Sequence, residues 1–188
     1  MMKGITNFAQ NRHQEELVEK GLQLAQMFSE RASAHDVHAT FPFDNFADLK
    51  KEQLLDLTIP KELGGKGGGL YDFLLLQETI AQGDGATALC LGWHLGILMN
   101  VSTYRPWPKQ TFEQLCMEVV QHQKLINTAH SEVQTGSPAR GGKPTTKAKF
   151  VDNNWIINGR KSFASLAPIL DYFIISATIE ETGEVGEF

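Results

Sequence analysis

The chain has 188 residues, 41% of them hydrophobic, which is enough to build the core of one sizeable domain or two small ones. Its formal net charge is −5 and its 17 basic residues are spread along the sequence, so we predict that nucleic acid is not a partner. The N-terminal segment lacks the apolar core of a signal peptide, and no stretch approaches about 18 apolar residues. We therefore expect a cytoplasmic protein that neither spans nor binds a membrane.

Helical periodicity dominates the first part of the sequence. Leu17, Leu24 and Phe28 recur at helical spacing between charged residues, which predicts an amphipathic helix from Glu15 to Arg31. Similar patterns, interrupted by prolines and glycines, predict four more helices over residues 46–57, 70–80, 86–99 and 110–123. Asp84 is well placed to cap the helix that begins at residue 86.

After Lys124 the pattern changes to short segments rich in β-branched and aromatic residues. These segments predict strands over residues 145–151, 155–157 and 171–178, separated by turn sequences such as Asn158-Gly159. Helices followed by strands are typical of an α+β chain rather than of an alternating α/β fold. We predict a helical N-terminal domain over residues 1–123 and a domain of antiparallel strands over residues 124–188.

The glycine-rich stretch GGKGGG, residues 64–69, invites comparison with a phosphate-binding loop, whose bare amides cradle an anion. Such a loop needs Ser or Thr after its lysine and a buried strand before it. Here Gly67 follows Lys66, and a predicted helix and Pro60 precede the stretch. We therefore predict a tight turn between helices, for which glycine supplies positive φ without steric cost.

The histidines and cysteines give no metal or redox set. His35 and His38 could share one helical face, but no carboxylate or cysteine cluster completes a metal site. Cys90 and Cys116 form no CxxC pair and lie in apolar helical surroundings, so we predict buried thiols. From its apolar neighbours in LGWHLG alone, His94 is interpreted as a hydrogen-bonded core histidine.

Three segments of the chain, taken in order, match the motifs of one flavoprotein family. Residues 59–84, IPKELGGKGGGLYDFLLLQETIAQGD, are similar to a turn of the type Pro-acidic-X-Gly-Gly that leads into a helix. Residues 127–146, NTAHSEVQTGSPARGGKPTT, are similar to the flavin-binding motif Thr-Glu-Pro-X-X-Gly-Ser-Asp, with matches at Ser131, Glu132, Gly136 and Ser137. Residues 158–165, NGRKSFAS, are similar to Asn-Gly-X-Lys-X-(Trp/Phe)-Ile-(Thr/Ser). Through these segments the chain resembles the acyl-CoA dehydrogenase family over about residues 55–178.

The resemblance implies a fold and a cofactor. The fold is a helical N-terminal domain followed by an incomplete antiparallel β-barrel of the acyl-CoA dehydrogenase type, and the cofactor is FAD. The family places an aromatic side chain beside the isoalloxazine ring at the position of Phe163, and a hydroxyl near the hydride-accepting atom at Ser165. Donors around His130 face the pyrimidine edge, where negative charge gathers on reduction. The implied cofactor-binding residues are His130, Ser131, Gly136, Ser137, Phe163, Ala164 and Ser165.

The sequence departs from the family pattern in one loop and in length. Val133 stands where the family has proline and Pro138 where it has aspartate, so the path of this loop is expected to differ. Family members continue into a C-terminal helical domain, whose carboxylate removes the α-proton of the acyl thioester. This sequence stops at residues 184–188, which we interpret as a turn inside the β domain. We expect a truncated form that lacks a catalytic residue, holds FAD weakly or not at all, and forms a homo-oligomer that covers its strand edges.

The resemblance leaves three functions open. The leading one is the FAD-dependent oxidation of a small-molecule acyl-CoA thioester at a CH–CH bond, as in fatty acid metabolism. The second is a flavin-dependent monooxygenase of the same fold, in which His94 and Ser165 would lie beside the flavin. The third is an inactive fragment or interaction module.

Overall fold

The computed structural model describes residues 8–137 and 141–188, and the chain divides into two compact units, Met1–Leu125 and Ile126–Phe188. The α-helices described are α1 (Arg12–His38), α2 (Phe43–Lys51), α3 (Leu70–Ala81), α4 (Gly85–Tyr104) and α5 (Lys109–His122), with a short 3-10 helix at Lys61–Leu63. The strands described are β1 (Ile126–Ala129), β2 (Lys147–Val151), β3 (Asn154–Asn158), β4 (Tyr172–Ile179) and β5 (Val185–Glu187). The first unit is helical and the second contains the sheet, so the predicted α+β class is confirmed.

Helix α1 extends beyond the apolar pattern that predicted it. It begins after Asn11, whose side-chain oxygen accepts a hydrogen bond of 3.1 Å from the Gln14 amide. It ends at Ala39, which adopts a left-handed conformation with φ 49°. The ends of α1 are therefore set by capping groups. The predicted helix, Glu15 to Arg31, was shorter because it was based only on the spacing of the apolar residues.

Helix α2 ends earlier than predicted. Gln53 has φ 52°, which interrupts the helix, and the chain continues in turns toward the 3-10 helix. Leu55, Leu57 and Ile59 in this segment are nonetheless 0% exposed. Burial of an irregular segment produced the apolar pattern that the sequence analysis assigned to a helix.

Helix α4 is apolar on nearly all sides. Asp84 caps it as predicted, because its carboxylate accepts hydrogen bonds from the amides of Ala86 at 3.1 Å and Thr87 at 3.2 Å. By length and composition alone α4 could cross a membrane, so the expectation that no stretch reaches this size is wrong. One face of α4, which includes Leu91 and Leu95, is fully buried in the core of the first unit.

The glycine-rich stretch forms a tight turn between the 3-10 helix and α3, as predicted. Two of its amides make hydrogen bonds within the protein: Gly67 donates to the Ile59 carbonyl at 2.8 Å and Gly68 donates to the Leu57 carbonyl at 2.7 Å. A Cβ atom at Gly65 would lie 2.3 Å from the Ile59 carbonyl oxygen. Close backbone approach, rather than anion binding, accounts for glycine at this point.

The two cysteines differ in environment. Cys116 in α5 is fully buried, and this burial raises the pKa of its thiol to about 11. Cys90 in α4 is only partly buried, which corrects the prediction that both thiols lie in the core. A thiol with a raised pKa is a poor nucleophile, so the chemistry of Cys116 is that of a small core residue.

The sheet of the second unit is mixed rather than antiparallel throughout. Strand β4 pairs in parallel with β1, from Ile126 opposite Tyr172 to Ala129 opposite Ile175, and also in parallel with β2. The β2–β3 and β4–β5 pairs are antiparallel. The prediction of antiparallel strands rested on periodicity, which does not fix strand direction; the 17-residue segment 130–146 between β1 and β2 is long enough for a parallel return.

Two short strands were not predicted. Strand β1 has the sequence INTA and begins the second unit, where the four residues carry too little alternation to be recognised. Strand β5 pairs Val185 with Thr178 and Glu187 with Ser176. Residues 185–187 are therefore a strand, which corrects the interpretation of this segment as a turn.

Candidate functional site

Phe163 lies in an unfavourable backbone conformation with its ring in solvent. Its φ is 56° and its side chain is 94% exposed. The left-handed conformation costs a non-glycine residue about 1–2 kcal/mol. Strained residues of this kind persist where surrounding contacts fix them, and they cluster at ligand sites. Residues 159–165, which we call the Phe163 turn, are therefore the first candidate element of a site.

Three hydrogen bonds fix the Phe163 turn. The Ser162 amide donates to the Ser131 carbonyl at 2.9 Å, and the Ser165 amide donates to the Phe163 carbonyl at 3.1 Å. The Asn127 side chain is 2% exposed, and its Nδ2 donates to the Ser165 carbonyl at 2.9 Å. Main-chain atoms on both sides of Phe163 are thus anchored, which overcomes the cost of its conformation.

Residues 130–137, which we call the 130–137 loop, form the second element. The Glu132 amide donates to the Gly136 carbonyl at 3.0 Å and the Gly136 amide donates to the Glu132 carbonyl at 2.9 Å, so the loop closes on itself. Gly136 has φ 71°, a conformation that glycine adopts without strain. Val133, in place of the family proline, is 77% exposed within this closed loop. Pro138, the other departure, lies outside the described residues.

The carboxylate of Glu132 is buried and surrounded by donors. Its Oε1 accepts from the Lys161 ammonium at 2.8 Å and from the Thr146 amide at 3.0 Å, and its Oε2 accepts from the Thr145 amide at 2.7 Å. Burial by itself raises the pKa of Glu132, but the Lys161, Thr145 and Thr146 donors outweigh it and hold the pKa well below the ordinary range. Glu132 is therefore ionised at neutral pH, but its lowered pKa makes it a weak base and both of its oxygens accept hydrogen bonds from the protein, so it is poorly suited to abstract a proton.

His130 is half-buried, and its Nε2 lies 3.4 Å from Glu187 Oε1. Burial lowers the pKa of His130 below its ordinary value; the Glu187 carboxylate opposes the shift and the Lys161 ammonium adds to it. The ring is consequently neutral at pH 7. The main-chain carbonyl of His130 accepts from Lys161 Nζ and from Ser176 Oγ, both at 3.4 Å.

The seven residues that the resemblance assigned to the cofactor lie on two segments of the second unit. These segments, the 130–137 loop and the Phe163 turn, are joined by the hydrogen bond between Ser162 and Ser131. Phe163 and Gly136 are exposed. The other five residues of the set are half-buried: His130, Ser131, Ser137, Ala164 and Ser165. Their role toward a cofactor stays a prediction.

His94, the histidine of the monooxygenase alternative, lies in the first unit. It is 0% exposed, and its Nε2 donates to the Leu55 carbonyl at 2.9 Å. This is the environment of a core histidine, because the ring links α4 to the buried turn segment beside it. A catalytic role for His94 stays a prediction.

The residues present fit the ring of a flavin. A flat apolar ligand would cover the exposed Phe163 ring. Ser162 Oγ is buried and has no hydrogen-bond partner among the described residues, so it is available to a polar ring edge.

The residues that support these two segments were not predicted from the sequence. Asn127 and Ser176 lie in the buried face of strands, and Lys161 was noted only as a motif match. A polar residue within an otherwise apolar strand, as in INTA and YFIISATI, was the available indication. Such a residue indicates that a buried polar side chain needs a hydrogen-bond partner, but it does not identify the partner.

Comparison with known families gives two matches along the chain. The family described as acyl-CoA dehydrogenase, N-terminal domain, matches residues 11–104. The family described as acyl-CoA dehydrogenase, middle domain, matches residues 127–188. The second match contains both the 130–137 loop and the Phe163 turn.

Similar proteins include members with different activities. The protein named "Putative acyl-CoA dehydrogenase YdbM" of Bacillus subtilis (strain 168) is 39% identical over 181 residues, 96% of this chain and 47% of YdbM. The amino sugar nitrososynthase DnmZ of Streptomyces peucetius is 30% identical over 156 residues, 79% of this chain and 36% of DnmZ. The chain spans less than half the length of either relative.

Solved structures with the same fold include flavin-bound proteins. FMN-bound TdsC from Paenibacillus sp. A11-2 aligns with a TM-score of 0.81 at 19% identity, over 92% of this chain and 43% of TdsC. This level of identity shows the fold alone. KijD3 in complex with dTDP aligns with a TM-score of 0.79 at 25% identity, over 95% of this chain and 45% of KijD3. A further structure of KijD3 contains FMN and a dTDP-linked amino sugar.

The helical unit and the sheet unit each match one domain of the same family, and the N-terminal domain match alone covers half of the chain. The 130–137 loop and the Phe163 turn, which carry the matched motifs, both lie within the second of these matches. On these grounds the chain belongs to the acyl-CoA dehydrogenase family.

Proposed function

We propose that residues 126–188 form the flavin-facing surface of an acyl-CoA dehydrogenase-type flavoprotein, with FAD or FMN as the flavin. The observation that carries the proposal is Phe163, whose ring is 94% exposed on a left-handed backbone. Exposure of the ring and strain in its backbone both cost free energy in the chain alone. A planar ligand that covers the Phe163 ring would offset these costs, which explains why the ring is held in this position.

The proposal gives each segment a role. The Phe163 ring packs beside the isoalloxazine, and the Ser165 hydroxyl faces the atom that receives hydride. The His130–Ser131 part of the loop offers donors to the pyrimidine edge, where negative charge gathers on reduction. Gly136 lets the loop backbone approach the ligand closely. When bound, the flavin supplies a hydride acceptor that no amino-acid side chain provides.

The proposed reaction is oxidation of an acyl-CoA thioester, in line with the 39% identity to YdbM. Removal of the α-proton requires a carboxylate with a free oxygen in hydrogen-bonding reach of the substrate. Glu132 does not meet this requirement, because Lys161, Thr145 and Thr146 occupy both oxygens and lower its pKa. We therefore expect the 188-residue chain to have no dehydrogenase turnover by itself.

A flavin-dependent monooxygenase or nitrososynthase is the second candidate. The observation in its favour is the likeness to DnmZ at 30% identity and to KijD3 at 25% identity. The buried, hydrogen-bonded ring of His94 gives this candidate no support from the first unit. The two candidates share the same proposed flavin surface, so the first experiment tests that surface alone.

The experiment is a titration of the ¹⁵N-labelled chain with FMN and, separately, with FAD, followed by amide chemical shifts, which detect even millimolar binding. We expect shifts confined to residues 130–137 and 162–165. Phe163→Ala should weaken binding by about two- to thirteenfold, since an aromatic stacking contact contributes about 0.5–1.5 kcal/mol. Phe43→Ala, at an exposed phenylalanine of α2, is the matched control. Shifts spread evenly over the chain, or none at all, would refute the proposed surface.

The activity is tested on flavin-loaded protein in which the chain is joined to the C-terminal helical domain of a family member, because the chain by itself is expected to have no dehydrogenase turnover. Loss of flavin absorbance on anaerobic addition of an acyl-CoA would identify a dehydrogenase. Oxidation of an aromatic or amino sugar substrate that needs both reduced flavin and oxygen would identify a monooxygenase or nitrososynthase. Neither response from a protein that binds flavin would favour the third possibility, a module without activity of its own.

A further inference from the structure

A buried ion pair lies beneath the two segments of the proposed flavin surface. The Lys161 ammonium is 2.8 Å from Glu132 Oε1, and the side chains of Lys161 and Glu132 are 12% and 2% exposed. Lys161 belongs to the Phe163 turn and Glu132 belongs to the 130–137 loop. The pair is therefore a direct side-chain link between the two segments, and solvent screens it little.

The Lys161 ammonium also donates hydrogen bonds to the loop and to the sheet. Lys161 Nζ donates to the His130 carbonyl at 3.4 Å and to Ser176 Oγ at 3.3 Å. His130 belongs to the loop, and Ser176 belongs to β4 in the middle of the sheet. One side chain from the turn thus contacts the loop at two points and the sheet at a third.

Both oxygens of the Glu132 carboxylate accept hydrogen bonds from the protein. Besides the Lys161 ammonium, Oε1 accepts from the Thr146 amide at 3.0 Å and from Thr146 Oγ1 at 2.6 Å. Oε2 accepts from the Thr145 amide at 2.7 Å and from the Thr145 hydroxyl. No oxygen is left over for a ligand, so the pair acts on the protein around it rather than on a substrate.

We propose that Glu132 and Lys161 are positioning residues that hold the 130–137 loop and the Phe163 turn in one fixed arrangement. The inference rests on the proposed function only for what this surface binds. Apart from the contacts of the Lys161 ammonium with Glu132 and His130, the hydrogen bond described between the two segments is the main-chain bond from Ser162 to Ser131, at 2.9 Å. A single main-chain hydrogen bond between two irregular segments opens readily, and the buried pair keeps it closed.

Amide hydrogen exchange, followed by NMR on the whole chain, separates positioning from general stabilisation. In Lys161→Met, the Ser162 amide should exchange at least about tenfold faster than in the native chain, because its bond to Ser131 opens locally. The Ile175 amide, which donates to the Phe188 carbonyl at 2.8 Å, should change by less than about twofold. Arg160→Met, at the neighbouring exposed cation, should change neither amide.

Two further variants keep the inference testable. Lys161→Met leaves the Glu132 charge buried, so the double variant Glu132→Gln with Lys161→Met removes both charges while retaining an acceptor for the Thr146 amide. Faster exchange at Ser162 in a folded double variant would support positioning. Lys161→Arg preserves the positive charge next to Glu132, so the Ser162 amide should exchange more slowly in this variant than in Lys161→Met.

An equal rise in exchange at Ser162 and Ile175, or no rise at Ser162, would overturn the inference. The flavin titration is independent of this result. A native chain that shows no flavin-induced shifts would refute the proposed function, while the exchange rates would still decide whether the pair positions the two segments.

Discussion

The backbone amide of Ser162 donates a hydrogen bond of 2.9 Å to the carbonyl oxygen of Ser131. This bond places the Phe163 turn beside the 130–137 loop, although β2 and β3 separate them in the sequence. Because it involves main-chain atoms alone, only replacement of Ser162 by proline, which has no backbone N–H, removes its donor. The predictions below therefore concern the side chains that surround it and the strain that it helps to maintain.

Replacing Phe163 by glycine should stabilise the chain and weaken flavin binding. Glycine adopts φ 56° without the left-handed penalty, so the free energy of unfolding should rise by about 1 kcal/mol after the entropic cost of glycine. Urea unfolding measures the first effect and the amide-shift titration measures the second. Asp152→Gly, at φ 48° in the β2–β3 turn, should stabilise likewise without changing flavin binding. Clear destabilisation by Phe163→Gly would contradict the assignment of strain.

The stability of the native chain should fall in acid because of Glu132. Its pKa is lowered in the folded state, so its contribution is complete above the unfolded value of about 4.3 and is lost as the pH falls through the lower folded value. Glu132→Gln should lower stability at pH 7 and flatten the decline below about pH 4. Urea midpoints at several pH values provide the measurement. Glu16→Gln, which affects only the exposed pair with Arg12, should leave the decline intact.

Asn127→Ala should loosen the Phe163 turn. The variant removes the 2.9 Å hydrogen bond from Nδ2 to the Ser165 carbonyl and also the acceptor that receives the Thr128 amide at 2.7 Å. Loss of these buried partners should cost about 1–3 kcal/mol of unfolding free energy. Backbone ¹⁵N relaxation should show greater mobility at residues 163–165. Asn154→Ala, at an exposed asparagine, should cost less than about 0.5 kcal/mol, and an equal cost at both sites would argue against the anchor.

Two glycine substitutions should have opposite effects on the helical unit. Alanine at Gly65 would place its Cβ atom 2.3 Å from the Ile59 carbonyl oxygen, so the turn must shift and stability should fall by about 1–3 kcal/mol. Alanine at Gly96, inside α4, meets no atom within 4 Å and should stabilise by up to about 1 kcal/mol. Thermal unfolding of both variants checks the prediction. Destabilisation by Gly96→Ala would show that the surroundings of α4 are tighter than described.

Local sequence determined much of the helical unit. The apolar period placed α3 at residues 70–80 against an observed Leu70–Ala81, and the Asp84 cap followed from residue type and spacing. These features depend on neighbours along the chain, for which the helical repeat is a reliable guide. At residues 54–59 the apolar side chains are buried by tertiary contacts although the segment is not a helix. The helical repeat therefore wrongly predicted that α2 continues there.

Tertiary structure alone decided the sheet order and the support of the candidate site. The motifs identified both segments of the proposed flavin surface, but no local pattern indicates that β4 enters between β1 and β2. Nor does any pattern show that Lys161 pairs with Glu132 rather than facing solvent, as most lysines do. Partner choice among buried polar groups depends on which distant strands are brought together. The hydrogen bond from Ser162 to Ser131 and the ion pair beneath it therefore exist only once the sheet has formed.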